Sequence, residues 1–202
     1  MFLEHNGSRG PRRGWIEVVC GSMFSGKTEE LIRRLRRAEF AKQQVGIFKP
    51  STDNRYHASD VVSHDQRAIG STAVQHSAAL LPLAADLHVV GIDEAQFFDE
   101  ALPRVCEQLA NNGVRVIIAG LDMDFQGRPF GPMPQLLALA EYVTKVHAIC
   151  LRCGELAHYS HRTSASDRLI LLGETDSYEP LCRPCFNEAV HGRSSKKNTL
   201  FP

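Results

Sequence analysis

The sequence has no excess of charge of either sign and no long hydrophobic run. Its 202 residues include 23 Lys plus Arg and 23 Asp plus Glu, so no bulk positive charge indicates nucleic acid as the main partner. No apolar stretch approaches the roughly 20 residues that a membrane-spanning helix needs. The first 14 residues are polar and lack the apolar centre of a signal peptide. We therefore expect a cytoplasmic protein with no membrane partner.

Cysteine is limited to six residues in the chain. Four of them form two CxxC pairs, Cys150 with Cys153 and Cys182 with Cys185. Two such pairs can each present two thiolates to one tetrahedral ion, and four thiolates leave no open position, which predicts structural zinc. The spacer between the pairs is longer than in a minimal ribbon and predicts a projecting loop. Disulfides, a redox CxxC and a nucleic-acid-binding ribbon are the alternatives.

Apolar segments of strand length alternate with amphipathic segments of helix length along the first three quarters of the chain. Predicted strands cover residues 15–20, 45–49, 88–92, 114–119 and 142–149, with a further strand near 66–73. Predicted helices cover residues 29–42, 78–85 and 99–111. The arginine-rich face of the first is expected to be solvated, with a subunit contact as the alternative. Residues 51–63 are polar and lack periodicity. This alternation predicts a mostly parallel sheet covered on both faces, with ligands beyond the carboxyl ends of its strands.

A glycine-containing loop follows the first predicted strand. Residues 21–28 read GSMFSGKT and match the phosphate-loop pattern GxxxxGK[ST] at every fixed position. Glycines let the backbone N–H groups turn toward phosphate oxygens, and the helix that follows adds its positive end. We expect Lys27 to reach the β- and γ-phosphates of ATP and Thr28 to ligate Mg²⁺.

An acidic pair ends the strand at residues 88–92. Asp93 is placed as the second magnesium ligand of a phosphate-loop protein, and Glu94 is placed to accept a proton from an attacking hydroxyl group or water. In an ATPase Glu94 would orient water, whereas in a kinase it would deprotonate a substrate alcohol beneath a cover that excludes water. The segment between the CxxC pairs is the candidate cover. A GTPase is less attractive because no NKxD-like segment is visible.

Several segments together resemble the type II thymidine kinase family, the human-cytosolic-like type. They are GSMFSGKT, KPSTDNRY, DEAQFF, GLDMDFQGRPFG and the two CxxC pairs, and the resemblance runs from about residue 15 to residue 190. It implies a RecA-like P-loop α/β domain with a small four-cysteine zinc domain, assembled as a homotetramer. It also implies γ-phosphate transfer from MgATP to the 5′-hydroxyl of thymidine and of deoxyuridine, with Glu94 as general base and dTTP as feedback inhibitor.

The resemblance also implies the binding residues. The nucleotide site is expected to comprise Gly21, Ser22, Met23, Phe24, Ser25, Gly26, Lys27, Thr28, Arg55, Asp93 and Gln96. The nucleoside pocket is expected to comprise Met23, Asp53, Phe97, Leu121, Phe125, Ser160, Leu172, Gly173 and Tyr178, with a lasso between the CxxC pairs holding the base largely through backbone groups. Ser160 stands where many relatives carry threonine, and its hydroxyl can still donate to the base.

These observations predict four segments. Residues 1–14 form an arm, 15–149 the ATP-binding domain, 150–190 the zinc domain with the lasso, and 191–202 a tail. Two rival functions follow from the same residues: a P-loop ATPase whose zinc module contacts a partner, and a zinc-dependent nucleic-acid binder that merely holds ATP. Nucleoside-dependent ATP consumption distinguishes the kinase from the first rival, and balanced charge argues against the second.

Overall fold

A six-stranded parallel sheet forms the centre of the molecule. The computed structural model describes residues 13–51, 60–62, 68–163 and 177–192. The sheet strands are β1 (Trp15–Cys20), β2 (Val45–Pro50), β5 (Thr72–Val74), β6 (Val89–Ile92), β7 (Arg115–Gly120) and β8 (Tyr142–Lys145). The order of these six strands is β5-β2-β6-β7-β1-β8, and every neighbouring pair is parallel. A separate two-stranded ribbon, β3 (Asp60–Val62) with β4 (Ala68–Gly70), precedes β5 along the chain.

Helices cover both faces of this sheet. They are α1 (Lys27–Phe40), α2 (Leu80–Leu83), α3 (Leu102–Asn111) and α4 (Met133–Leu139). One hydrophobic cluster lies on the α3 and α4 side of the sheet, and the other lies beneath α1. The central strands β6 and β7 are buried along their whole length, which explains their unbroken apolar sequences. The predicted parallel α/β fold is confirmed.

A small unit that carries the four cysteines follows the sheet. It comprises β9 (Ala148–Ile149) paired with β10 (Leu156–Ala157), β11 (Tyr159–Arg162) paired with β12 (Tyr178–Leu181), and α5 (Arg183–His191). Its own hydrophobic cluster is small and includes Cys150 and Cys182. Together with the sheet, this unit confirms the expected RecA-like P-loop fold with an appended four-cysteine domain.

A buried ion-pair network joins α1 to the sheet. Glu17 on β1 accepts hydrogen bonds from Arg34 Nη1 at 2.8 Å and from Arg115 Nε at 2.7 Å. All three side chains are buried. The expectation that the arginine face of the first helix is solvated is therefore wrong for Arg34, although Arg33 beside it is exposed. Arg34 can be buried because the Glu17 carboxylate on β1 compensates the charge of its guanidinium group, which would otherwise need water.

Other differences concern strand and helix boundaries. The predicted strand at residues 142–149 is two strands, because the chain leaves the sheet after Lys145 and pairs again at Ala148 in the cysteine unit. Helix α4 was not predicted, since it is short and Pro134 lies in its first turn, where proline is tolerated. The predicted irregular segment 51–63 contains β3. The predicted arm and tail lie largely outside the described residues.

Candidate active site

The phosphate-loop segment connects β1 to α1 at the carboxyl edge of the sheet. Its first residue, Gly21, has φ of +149°, and a β-carbon there would lie 2.1 Å from the carbonyl oxygen of Val146. Only glycine permits that approach, because a side chain would collide with the backbone. Ser25 Oγ donates to the carbonyl oxygen of Ser22 at 2.7 Å, and Lys27 Nζ donates to the same oxygen at 2.7 Å. The loop is thus a closed turn that holds the lysine ammonium group in its curve.

Thr28 and Asp93 meet across the edge of the sheet. Thr28 Oγ1 lies 3.2 Å from Asp93 Oδ2 and 3.5 Å from Oδ1. Asp93 follows β6 and is buried. Burial, and then the charge of Glu94, raise the pKa of the Asp93 carboxyl to about 7. A buried carboxylate with an adjacent hydroxyl oxygen and a carboxylate neighbour suits a hard divalent cation, so the pair fits a magnesium ion.

Glu94 lies beside this pair in an uncommon backbone conformation. Its φ is +52°, and its backbone N–H donates to Asp93 Oδ1 at 2.9 Å. Residues with a side chain seldom adopt positive φ, and such residues cluster at functional sites. The turn directs the chain from β6 into a short 3-10 segment, Ala95–Phe97. Two carboxylates and a threonine hydroxyl therefore converge at the end of β6, opposite the phosphate loop.

The cysteine unit contacts the phosphate loop directly. The backbone N–H of Met23 donates to Ser160 Oγ at 2.9 Å, and Ser160 is buried on β11. The start of the loop also packs against Val146, in the segment that leads into the unit. Ser160 was expected at the base, and its described contact is with the loop. The hydroxyl proton of Ser160 can still be donated elsewhere, because the Met23 bond uses only an acceptor position.

The apolar and aromatic candidates for the nucleoside pocket fall into connected groups. The Arg162 guanidinium carbon lies 3.8 Å from the ring centroid of Phe125, and Arg162 Nη2 donates to the Tyr178 hydroxyl oxygen at 2.6 Å. Arg162 lies two residues after Ser160 on β11, so this group adjoins the contact with Met23. The backbone N–H of Leu121 donates to Gln96 Oε1 at 2.9 Å.

Phe97 makes a ring contact with a residue outside these groups. Its ring meets Phe130 edge to face, with 5.6 Å between the centroids. Four other predicted binding residues lie outside the described residues, and so does most of the predicted lasso. These four are Asp53, Arg55, Leu172 and Gly173.

The four cysteines of the CxxC pairs come together. Their sulfur atoms all lie within 4.8 Å of one another. A tetrahedral zinc ion with Zn–S bonds of about 2.3 Å requires sulfur atoms about 3.8 Å apart, so the cluster is close to this arrangement. Burial opposes ionisation of Cys150, but backbone N–H groups, including that of Cys182, lower the pKa of its thiol to about 6. The donor set and these N–H groups fit a structural zinc ion.

Sequence reasoning missed three contacts at this edge of the sheet. Gln96 Nε2 donates to Glu94 Oε2 at 2.5 Å, Arg162 stacks on Phe125, and Lys145 Nζ pairs with Asp122 Oδ2 at 2.6 Å. The acidic stretch 122–124 thus has structural partners, since Asp124 also accepts the backbone N–H groups of a turn. The DEAQ segment held the signal for Gln96, because a polar side chain two residues after a candidate base can reach it.

Comparison with known proteins gives one consistent result. A family model described as thymidine kinase matches residues 14–186. A protein of Bacteroides thetaiotaomicron named thymidine kinase is 63% identical over 189 residues, which cover 94% of this chain and 95% of that protein. A protein with the same name from Porphyromonas gingivalis is 61% identical over 186 residues, which cover 92% of this chain and 91% of that protein. Another from Rhodothermus sp. is 59% identical over 186 residues, which cover 92% of this chain and 85% of that protein.

The part of the chain that the structure describes also contains no helix long and apolar enough to cross a membrane. The match spans both the sheet and the cysteine unit, since it extends from before β1 into α5. The motifs at residues 21–28 and 93–98 and the paired cysteines all lie within it. The chain therefore belongs to the thymidine kinase family, of the type II class that its motifs indicate.

Proposed function

We propose that the protein transfers the γ-phosphate of MgATP to the 5′-hydroxyl of thymidine and produces dTMP and ADP. The observation that carries the proposal is the pair Asp93 and Glu94, which follows β6 and faces Thr28 of the phosphate-loop segment. Family membership supports thymidine as the phosphate acceptor. The reaction would serve the salvage of a pyrimidine deoxynucleoside for DNA synthesis.

The proposed mechanism combines charge neutralisation with proton transfer. The amides of residues 21–26 and the Lys27 ammonium group hold the triphosphate, and Thr28 and Asp93 would hold Mg²⁺, which offsets phosphate charge when bound. Glu94 accepts the proton of the 5′-hydroxyl as that oxygen forms a bond to the γ-phosphorus. The bond from the γ-phosphorus to the bridging oxygen breaks, and ADP leaves with the electron pair.

The nucleoside pocket is proposed to lie between the phosphate loop and the cysteine unit. Met23 and Ser160 already bridge the two parts, and Arg162 holds Phe125 and Tyr178 beside that bridge. A cover from the cysteine unit would exclude water from the γ-phosphate, which a kinase needs in order to avoid hydrolysis. Leu121, Phe97 and the residues outside the described ranges complete the proposed set.

Further properties are proposed on the family resemblance alone. They are acceptance of deoxyuridine, inhibition by dTTP and assembly as a homotetramer. A cytoplasmic location is proposed on the composition of the sequence. Structural zinc is proposed on the CxxC spacing and on the cluster of the four sulfur atoms. The division into arm, ATP-binding domain, zinc domain and tail at residues 14, 149 and 190 is proposed on the composition and motifs of the sequence. Arg55 is a proposed nucleotide contact and Asp53 is a proposed nucleoside contact, and the family resemblance implies a nucleotide contact for Gln96 as well.

The test measures ADP formation by the full chain with and without thymidine. We expect ADP formation to depend on the nucleoside, and Glu94→Gln to lower kcat by a factor on the order of 100 to 10,000, because it removes a general base. Binding of a non-hydrolysable ATP analogue should change little. Glu100→Gln is a matched control, since Glu100 is exposed six residues away, and it should leave both quantities unchanged.

Two results would contradict the proposal. Full-speed ATP hydrolysis without nucleoside would indicate the rival ATPase. Undiminished thymidine phosphorylation by Glu94→Gln would remove Glu94 from the proposed role and leave the kinase activity itself intact.

A further inference from the structure

The side chain of Gln96 connects the proposed base to the strand end that leads into the nucleoside pocket. Its Nε2 donates to Glu94 Oε2 at 2.5 Å, and its Oε1 accepts the backbone N–H of Leu121 at 2.9 Å. Gln96 is only 2% exposed. One buried amide thus spans from the end of β6 to the end of β7.

The two contacts together fix the orientation of the amide. A backbone N–H can only donate, so the atom of Gln96 that faces Leu121 must be the oxygen. The amide nitrogen then faces Glu94, where it meets a carboxylate oxygen that accepts. A flipped amide would set N–H against N–H on one side and oxygen against oxygen on the other. The Leu121 N–H donor and the Glu94 carboxylate acceptor therefore permit only one orientation of the Gln96 amide.

The backbone of Gln96 is held as closely as its side chain. A β-carbon at Gly131 would lie 2.5 Å from the Gln96 carbonyl oxygen, and a β-carbon at Gly120 would lie 3.0 Å from Gln96 Oε1. Both glycines let other backbone segments pack directly on this residue. Gln96 consequently has little room to move, and a group held by it shares that constraint.

We propose that Gln96 is a positioning residue that holds the Glu94 carboxylate in line for proton transfer from the nucleoside hydroxyl. The inference rests on the proposed function, in which Glu94 is the base. Glu94 lies in a turn with positive φ rather than within a helix or strand. A carboxylate on a turn has several rotamers, and a charged hydrogen bond of this kind selects one of them.

The alternative is that Gln96 serves only as a contact of the nucleotide. In that case its replacement would raise the KM for MgATP and leave kcat close to its original value. A positioning role predicts a lower kcat with an unchanged KM for MgATP, because misplacing the base weakens only an interaction made in the transition state. The two roles are therefore separable by the same kinetic measurement.

The variant Gln96→Glu isolates the contact with Glu94. A glutamate has the same length and keeps an oxygen for the Leu121 N–H, but it replaces the donor toward Glu94 with a second carboxylate oxygen. We expect kcat to fall by a factor on the order of 100, the cost of a misplacement near 1 Å. The KM for MgATP should stay within about two-fold, as expected when nucleotide binding is untouched. Gln108→Glu, on the exposed side of α3, makes the same change in charge and should have no effect.

A double-mutant cycle tests whether Gln96 acts through Glu94. In a Glu94→Ala background the carboxylate is absent, so adding the uncharged Gln96→Asn, which brings no new base, should change the residual turnover by less than about three-fold. Gln96→Asn is the neutral second variant, since its shorter side chain cannot reach both Glu94 and the Leu121 N–H. It should lower kcat in the same direction, and its folding does not depend on a second buried charge.

Three outcomes would overturn the proposal. They are an unchanged kcat in both Gln96 variants, a rise in the KM for MgATP without a fall in kcat, and an equal loss of turnover with and without the Glu94 carboxylate. Each can occur while Glu94→Gln is inactive, so the positioning role can fail while the proposed base stands.

Discussion

Replacing Gly131 with alanine would test the geometry of the active site from outside it. Gly131 precedes α4 and has φ of +47°, and an added β-carbon would lie 2.5 Å from the carbonyl oxygen of Gln96. Carbon and oxygen atoms normally approach to about 3.3 Å. The methyl group therefore requires a displacement of about 0.8 Å, and the atom in its way is backbone, which cannot rotate aside.

The displacement has separate costs for stability and for catalysis. Alanine with a left-handed backbone costs about 1–2 kcal/mol, and overpacking in a closely packed site adds about 1–3 kcal/mol. Because Gln96 holds Glu94, a shift approaching 1 Å should lower kcat by a factor on the order of 10 to 100. The KM for MgATP should change little, since Lys27 and Thr28 lie on another element.

Gly192→Ala supplies the matched control for backbone strain. Gly192 has φ of +71°, and within the described ranges no atom outside its chain neighbours lies within 4 Å of an added β-carbon there. Steady-state kinetics and urea unfolding of both variants, at one protein concentration, separate the two effects. Gly192→Ala should lose stability only. If Gly131→Ala keeps its original kcat while its stability falls as far as that of Gly192→Ala, the link from Gly131 through Gln96 to Glu94 is wrong.

Three other perturbations probe the sheet, the pocket and the cysteine unit. Glu17→Gln should lower the free energy of unfolding by about 3–5 kcal/mol because it removes the carboxylate that pairs with the buried Arg115 and one of the two carboxylates that pair with the buried Arg34; the exposed Glu39→Gln should cost far less in the same urea titration. Arg162→Lys should raise the KM for thymidine about ten-fold and leave the KM for MgATP unchanged, since one ammonium group cannot stack on a ring and also donate two hydrogen bonds to Tyr178. Zinc removal by a chelator should expose the amides of residues 148–163 and 177–191 to hydrogen exchange. Replacing Cys106, which lies on α3 outside the CxxC pairs, with alanine should retain one zinc ion per chain by atomic absorption, and loss of the ion in that variant would contradict the assignment to the CxxC cysteines.

The sequence is most informative where chemistry fixes both residue type and spacing. Three features lie where their patterns indicate: the phosphate-loop motif, the acidic pair after β6 and the CxxC pairs. Each of the first two comes from one short segment, and the cysteines come from two short segments. The fold follows similarly from the buried strands β6 and β7. Arg34 shows the limit, since its burial depends on Glu17, a residue that only the folded sheet brings beside it.

Contacts between distant segments explain what sequence reasoning could not provide. The Gln96 amide meets Leu121 because β6 and β7 are neighbours in the sheet, and nothing in the local sequence specifies that register. The same holds for the partners of Arg162, which come from a loop after β7 and from the strand β12. For a side chain that acts by holding another residue, the sequence shows only that the side chain is polar. The topology of the fold determines which residue it contacts.

Ser160 illustrates why a substitution between hydroxyl residues can preserve a contact between domains. The Met23 N–H needs one acceptor lone pair, which serine and threonine both carry on the same atom. A serine at this position therefore keeps the bond between the phosphate loop and β11, and the extra methyl group of threonine would restrict only the rotamer of the side chain. The bond ties the conformation of the phosphate loop to that of the cysteine unit. Zinc would order the cysteine unit, and through this bond it would also restrict the motion of the loop that binds the triphosphate.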